Sequence, residues 1–114
     1  MITIEALKEY GADVEKGLER CMGNEALYLR LVGLIPAEEN FKKLQEELDA
    51  KDLQKAFEAA HALKGVTGNL SLTPLYDSIV RITERLRAKE DTDYSEEMTE
   101  IRSQREKLEE LCRQ

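Results

Sequence analysis

The sequence predicts an all-α protein, an up-and-down antiparallel four-helix bundle with short additional helices at its N-terminal end. The 114 residues suit a single domain with one modest core, and no linker, repeat or low-complexity stretch divides residues 1–114. Apolar residues recur at helical spacing along almost the whole chain. The amphipathic segments are long and the connections between them are short, which favours antiparallel neighbours.

The first three predicted helices begin at residues that can cap them. Thr3 caps a short helix that stops at Gly11, and Asp13 caps a second helix that runs to Met22. Asn24 opens the third helix, which carries a wide apolar stripe made of Leu27, Tyr28, Leu31, Val32, Leu34 and Ile35.

The later helices are longer and separated by clear stop and start signals. Pro36 must kink the third helix or restart it. A turn over residues 49–52 leads into a helix over residues 53–69, Thr73 and Pro74 start the next helix, and the last begins at about Tyr94. The apolar positions that define these segments are Phe41, Leu44 and Leu48, then Leu75, Ile79, Ile82 and Leu86, and finally Tyr94, Met98, Ile101, Leu108 and Cys112.

The net charge of -7 argues against sequence-independent binding of nucleic acid, which needs excess cation facing phosphate. The charge is uneven, because residues 51–89 are net +3 while residues 1–50 and 90–114 are each net -5. Such an asymmetry either orients an acidic partner toward a positive surface or is ordinary scatter on solvated helix faces.

Several features bear on the compartment. Glu5 and Glu9 stand where a signal peptide would be basic and then apolar, and the uncharged stretch 31–37 is too short to span a bilayer. We therefore expect a cytoplasmic protein with no membrane contact. Cys21 and Cys112 are expected to be buried thiols, and two distant Cys with one His are too few for a metal site.

The one histidine, His61, is expected to be exposed. On a helical wheel of about 100° per residue it lies outside the core face of its helix, in a sector with Gln54, Lys64, Gly65 and Gly68. The predicted core face consists of Leu53, Ala56, Ala60, Leu63, Thr67 and Leu70.

Glycine inside a helix lowers its stability by about 1 kcal/mol relative to alanine, so the presence of Gly65 and Gly68 requires an explanation. Gly65, one turn after His61, would leave room for a group bound to the ring or docking over it. The alternative is that the helix ends there, which suits Gly68 better than Gly65. Lys64 would place a cation near a dianionic phosphoryl group on the ring, although a solvated lysine is the plain alternative.

Residues 61–65, His-Ala-Leu-Lys-Gly, resemble the signature of histidine-containing phosphotransfer (HPt) domains. Residues 13–21, Gly23 and Asn24, and the apolar run at Leu27, Tyr28 and Leu31 are similar to the front of such domains. Ser71 departs from the family, which often has another glycine shortly before the next helix. That departure bears on the geometry of the turn rather than on the chemistry.

This resemblance implies that His61 accepts the phosphoryl group, that Lys64 stabilises it and that Gly65 gives steric clearance. We expect Gln54, Phe57 and Gly68 to contact the partner. The partners would be receiver domains of response regulators, with a hybrid sensor kinase as a further candidate. The receiver would supply the aspartyl phosphate, an acidic pocket and Mg²⁺, so the chain itself would be a monomeric phosphoryl carrier without a cofactor or metal, and not an enzyme.

An exposed neutral imidazole is a nucleophile that needs no activating base, which agrees with this chemistry. Two other functions are considered. The chain could be a helical interaction module in which His61 is incidental. It could also be a fragment of an ATP-using kinase, but it contains no glycine-rich nucleotide loop.

Overall fold

The computed structural model describes residues 2–113, which form helices in the predicted order. Within these residues there is no strand, so the predicted all-α class is confirmed. None of the helices in this range has the length and apolar composition needed to cross a membrane. The helices are α1 (Ile4–Tyr10), α2 (Val14–Arg20), α3 (Glu25–Leu34), α4 (Asn40–Asp49), α5 (Leu53–Asn69), α6 (Thr73–Arg87) and α7 (Ser95–Arg113), with a 3₁₀ turn at Ile35–Ala37 between α3 and α4.

The first three helices begin at the predicted capping residues. The side-chain oxygens of Thr3, Asp13 and Asn24 accept hydrogen bonds of 3.0–3.3 Å from the backbone N–H three residues later, which satisfies donors that the helix leaves free. The predicted end of α2 at Met22 is wrong. The helix ends at Arg20, because Met22 takes a left-handed conformation with φ of 57° and turns the chain.

Helices α4, α5 and α6 each end in a left-handed residue that is not glycine: Lys51, Ser71 and Lys89, with φ between 54° and 58°. At the end of α5 the Leu72 N–H reaches back to the carbonyl of Thr67 at 3.1 Å. The ends of α4 and α6 repeat this hydrogen bond, so all three helices close with a Schellman motif. The closure permits connections as short as residues 50–52 and 70–72.

Helix α5 packs against both α4 and α6, and α6 packs against α7. The N-terminal part is joined to α7 by two hydrogen bonds. The Tyr10 hydroxyl donates to the carbonyl of Gln104 at 3.3 Å, and Arg105 Nε donates to the carbonyl of Pro36 at 2.8 Å. Helices far apart in the chain therefore share one core.

The predicted core face of α5 is buried, except that Leu53 is half-buried and Ala59 is buried in addition. Cys21 is buried as predicted. The prediction for Cys112 is wrong, because this residue lies in the last turn of α7 and is only half-buried.

The N-terminal segment is attached to the C-terminal end of α5. The Asp13 N–H donates to the carbonyl of Ser71 at 2.9 Å, and the Tyr28 hydroxyl donates to the carbonyl of Leu70 at 2.8 Å. Arg20 donates to the Ser71 hydroxyl at 3.2 Å. A helix end leaves carbonyls without partners, and residues of α2 and α3 supply donors there.

Gly17 lets α2 approach the buried ring of Tyr28. A Cβ at position 17 would lie 2.4 Å from Tyr28 Cε1, and that ring cannot shift without losing the hydrogen bond to Leu70.

We expect Gly17→Ala to lower the free energy of unfolding by about 2–3 kcal/mol, the cost of overpacking a filled site. Gly33→Ala is the control, because a Cβ there meets nothing within 4 Å. It should be neutral or stabilising by up to about 1 kcal/mol. Urea unfolding measures both, and an equal loss in the two variants would contradict the steric explanation.

Tyr28 also makes the fold sensitive to alkali. Burial, helped by the charges of Cys21 and Asp13, raises the pKa of Tyr28 to about 12 from 10. Between these values the unfolded chain loses the phenolic proton while the folded protein keeps it, so stability falls as the pH rises from 10 to 12. We expect wild type to lose roughly 1 kcal/mol more than Tyr28→Phe between pH 9 and pH 11. Urea unfolding at the two pH values tests this, and parallel losses would show that Tyr28 is not the titrating group.

Candidate functional site

His61 is exposed on α5, at the edge of an open groove of about 590 Å³. Three helices line this groove around the imidazole. Helix α2 contributes Lys16 and Arg20, and α6 contributes Tyr76 and Asp77. The groove is polar and carries charges of both signs.

An aromatic side chain lies against the His61 ring. Phe57, one turn earlier on α5, stacks against it with ring centroids 5.7 Å apart and an interplanar angle of 25°. The guanidinium of Arg87 lies over the Phe57 ring, 5.1 Å from its centroid. Phe57 is half-buried, and Arg87 of α6 holds its ring in place. The stack of Phe57 on His61 therefore limits the positions that the imidazole can take.

Lys64 is directed to a carboxylate of α6. Its Nζ lies 3.8 Å from Glu84 Oε1, and its side chain is 28% exposed. The other oxygen of the same carboxylate, Oε2, lies 3.4 Å from Arg87 Nε. The cation predicted to stand beside the imidazole is therefore paired with Glu84 in this structure.

The two glycines after His61 differ in what surrounds them. A Cβ at Gly65 would meet nothing within 4 Å, so the helix surface is open there. A Cβ at Gly68 would lie 2.9 Å from Tyr76 Cε1, so Gly68 permits close packing of α6 on α5. Gly68 is also the next-to-last residue of α5, which ends at Asn69, so the predicted helix end applies to Gly68 and not to Gly65.

Gln54 is exposed near the start of α5, and its Nε2 donates to Glu58 Oε2 at 3.3 Å. It lies two turns before His61 and one turn before Phe57, so these residues follow one side of the helix. The predicted site residues thus form a strip along α5 that runs from Gln54 to Gly68.

The sequence analysis did not identify the residues that the neighbouring helices bring to this strip. Glu84 and Arg87 come from α6, and Arg20 comes from α2, where it donates to the carbonyl of Gly68. The one signal in the sequence was the positive charge of residues 51–89, which include Arg87. It indicated the sign of the surroundings but not the contacts.

The chemistry that this arrangement allows is nucleophilic attack by a ring nitrogen, with cations close by. A neutral imidazole has a free lone pair, and Lys64 or Arg87 can attract an anion. In residues 2–113 no three His, Cys, Asp or Glu side chains converge as a metal site.

The Hpt domain family model matches residues 34–113, a stretch that contains His61 and helices α4 to α7. Searches of curated proteins and of solved structures gave no significant match. The similarity noted for residues 13–31 lies outside the matched stretch and stays a prediction. Hpt domains are phosphocarriers rather than enzymes, and they interact with receiver domains and kinases in phosphorelays. Since the match covers well over half of the sequence, the chain belongs to the Hpt domain family.

Proposed function

We propose that this chain is a histidine phosphotransfer protein that carries a phosphoryl group on His61 between the aspartates of receiver domains. The observation that supports this best is an exposed imidazole beside an open helix surface at Gly65, within the stretch that matches the Hpt family. A carrier must meet at least two proteins at the same atom, so its nucleophile has to be accessible rather than enclosed.

In the proposed transfer, the lone pair of a His61 ring nitrogen forms a bond to phosphorus. The bond between phosphorus and the receiver carboxylate breaks, and the carboxylate leaves with the electron pair. The return step reverses this on another aspartate. The receiver supplies the acidic pocket and its Mg²⁺, and this chain supplies the nucleophile and a docking surface.

Lys64, Gly65 and the rest of the strip have separate proposed roles. Lys64 stabilises the dianionic phosphoryl group by a charge-assisted hydrogen bond. Gly65 leaves space for the receiver, which also contacts Gln54, Phe57 and Gly68. Phe57 further restrains the imidazole through the stack described above.

We also propose that α4 to α7 form an up-and-down antiparallel four-helix bundle, with α1 to α3 as its short N-terminal addition. The short turns between consecutive packed helices support this. The hydrogen bonds that attach α2 and α3 to the end of α5 support a single domain over the whole chain. In this proposal the domain acts as a monomer in the cytoplasm, with receiver domains and a hybrid sensor kinase as partners.

Phosphotransfer tests the role of His61 directly. We expect wild type, incubated with a panel of phosphorylated receiver domains, to gain a label that is stable in base and labile in acid. His61→Gln should gain none, because the nucleophilic nitrogen is missing. Its free energy of unfolding should stay within about 0.5 kcal/mol of wild type, as is usual for an exposed position.

Two outcomes would overturn the proposal. The first is a label that persists in His61→Gln. The second is a receiver that binds wild type and His61→Gln equally while no phosphorylated species forms, as a helical interaction module would behave.

The open surface at Gly65 gives a test of docking. We expect Gly65→Leu to weaken binding of a cognate receiver about tenfold, because its side chain would project into the interface, while the fold stays intact. Gly33→Leu is the matched control, an exposed helical glycine with equally open surroundings on α3. Calorimetric titration measures both, and equal affinities for the two variants would show that the receiver does not approach Gly65.

A further inference from the structure

Glu84 lies between two cations, Lys64 of the groove around His61 and Arg87, which stacks over Phe57. One carboxylate oxygen is 3.8 Å from Lys64 Nζ, and the other is 3.4 Å from Arg87 Nε. Lys64 lies one turn after His61 on α5, and residues three apart on a helix are neighbours. Its side chain can thus reach either Glu84 or a group bound to the imidazole, but it cannot pair fully with both.

The contact between Lys64 and Glu84 is weak enough to exchange. It is near the upper limit for an ion pair, and the carboxylate is 54% exposed. Pairs of this kind contribute between zero and about 1 kcal/mol. A phosphoryl group carries a charge of about -1.5 to -2 and three acceptor oxygens, so it attracts the ammonium more strongly than a single carboxylate does.

Arg87 allows Glu84 to release Lys64 without being left unpaired. The guanidinium stays against Glu84 Oε2 and over the ring of Phe57, which in turn stacks on His61. Arg87 and Phe57 therefore still support the imidazole when Lys64 moves away from Glu84. An isolated Lys64–Glu84 pair would lack this property.

We propose that Glu84 is a positioning residue that holds Lys64 while His61 is unmodified and yields it to the phosphoryl group that arrives there. This inference rests on the proposed role of His61. It implies that Glu84 slows phosphorylation, because the incoming anion must compete with a carboxylate for Lys64. Glu84 would thereby influence how the phosphoryl group divides between His61 and its partners.

The test uses phosphoramidate, a small phosphoryl donor that needs no receiver. A His61 ring nitrogen forms a bond to phosphorus, the existing bond from phosphorus to nitrogen breaks, and ammonia leaves with the electron pair. Intact mass spectrometry follows the gain of one phosphoryl group. We expect Glu84→Gln to raise the initial rate about two- to fivefold, the range that corresponds to a surface ion pair.

A double-mutant cycle separates release of Lys64 from general charge repulsion. Lys64→Gln should react more slowly than wild type, and adding Glu84→Gln to it should change the rate by less than about 1.5-fold. Glu106→Gln, an exposed carboxylate of α7, removes the same charge away from the groove and should leave the rate unchanged.

The outcomes distinguish this inference from the proposed function. An unaltered rate in Glu84→Gln, or an equal increase in the Lys64→Gln background, would overturn the role of Glu84 while His61 remains the acceptor. No labelling of wild type at His61 would overturn both proposals. Labelling by phosphoramidate without transfer from any receiver would overturn the carrier function alone.

Discussion

The C-terminal end of α5 is the point on which the arrangement of the site depends. The last carbonyls of a helix have no partner within it, and here the helix that carries His61 ends inside the protein. The left-handed turn at Ser71 closes part of this end with its own backbone. Asp13, Arg20 and Tyr28 donate to the carbonyls of Ser71, Gly68 and Leu70, respectively, and these bonds bring α2 beside His61. A requirement of backbone hydrogen bonding thus builds one wall of the groove.

The glycines show how the same residue type answers different physical demands. Gly17 and Gly68 lie where an aromatic ring from another helix occupies the space of a side chain, that of Tyr28 in one case and of Tyr76 in the other. Gly65 is only three residues from Gly68, yet a Cβ there would meet nothing within 4 Å, as at the exposed Gly33 of α3. Packing within the domain explains the first two and does not explain the third. Gly65 differs from Gly33 in its position one turn after His61, where the proposed docking of a receiver would need the open surface.

Local signals in the sequence were sufficient for most of the fold. Capping side chains such as Thr3 and Asn24, and the apolar spacing of α5, depend on residues within one or two turns and were predicted correctly. The left-handed ends at Lys51 and Lys89 were not predicted, because lysine has no preference for that conformation.

Local signals in the sequence also predicted part of the candidate site. The exposure of His61 follows from the period of its own helix. The pairing of Lys64 with Glu84 depends on the position of α6 along the axis of α5. This position is set by the turn at residues 70–72 and by the contact of Tyr76 with Gly68. No local pattern in the sequence predicts the relative position of two helices. Sequence reasoning therefore found the strip on α5 and missed its neighbours.

The hydrogen bonds at the end of α5 bear on where the chain could be shortened for experiments. The matched stretch begins at residue 34, after every donor that α2 and α3 give to the α5 terminus. A fragment trimmed to that boundary would retain the histidine and its signature. It would also lack the buried Tyr28 of the hydrophobic core and leave the carbonyls of Leu70 and Ser71 to be solvated. Experiments on phosphotransfer by this protein should therefore keep the residues that precede the recognisable domain.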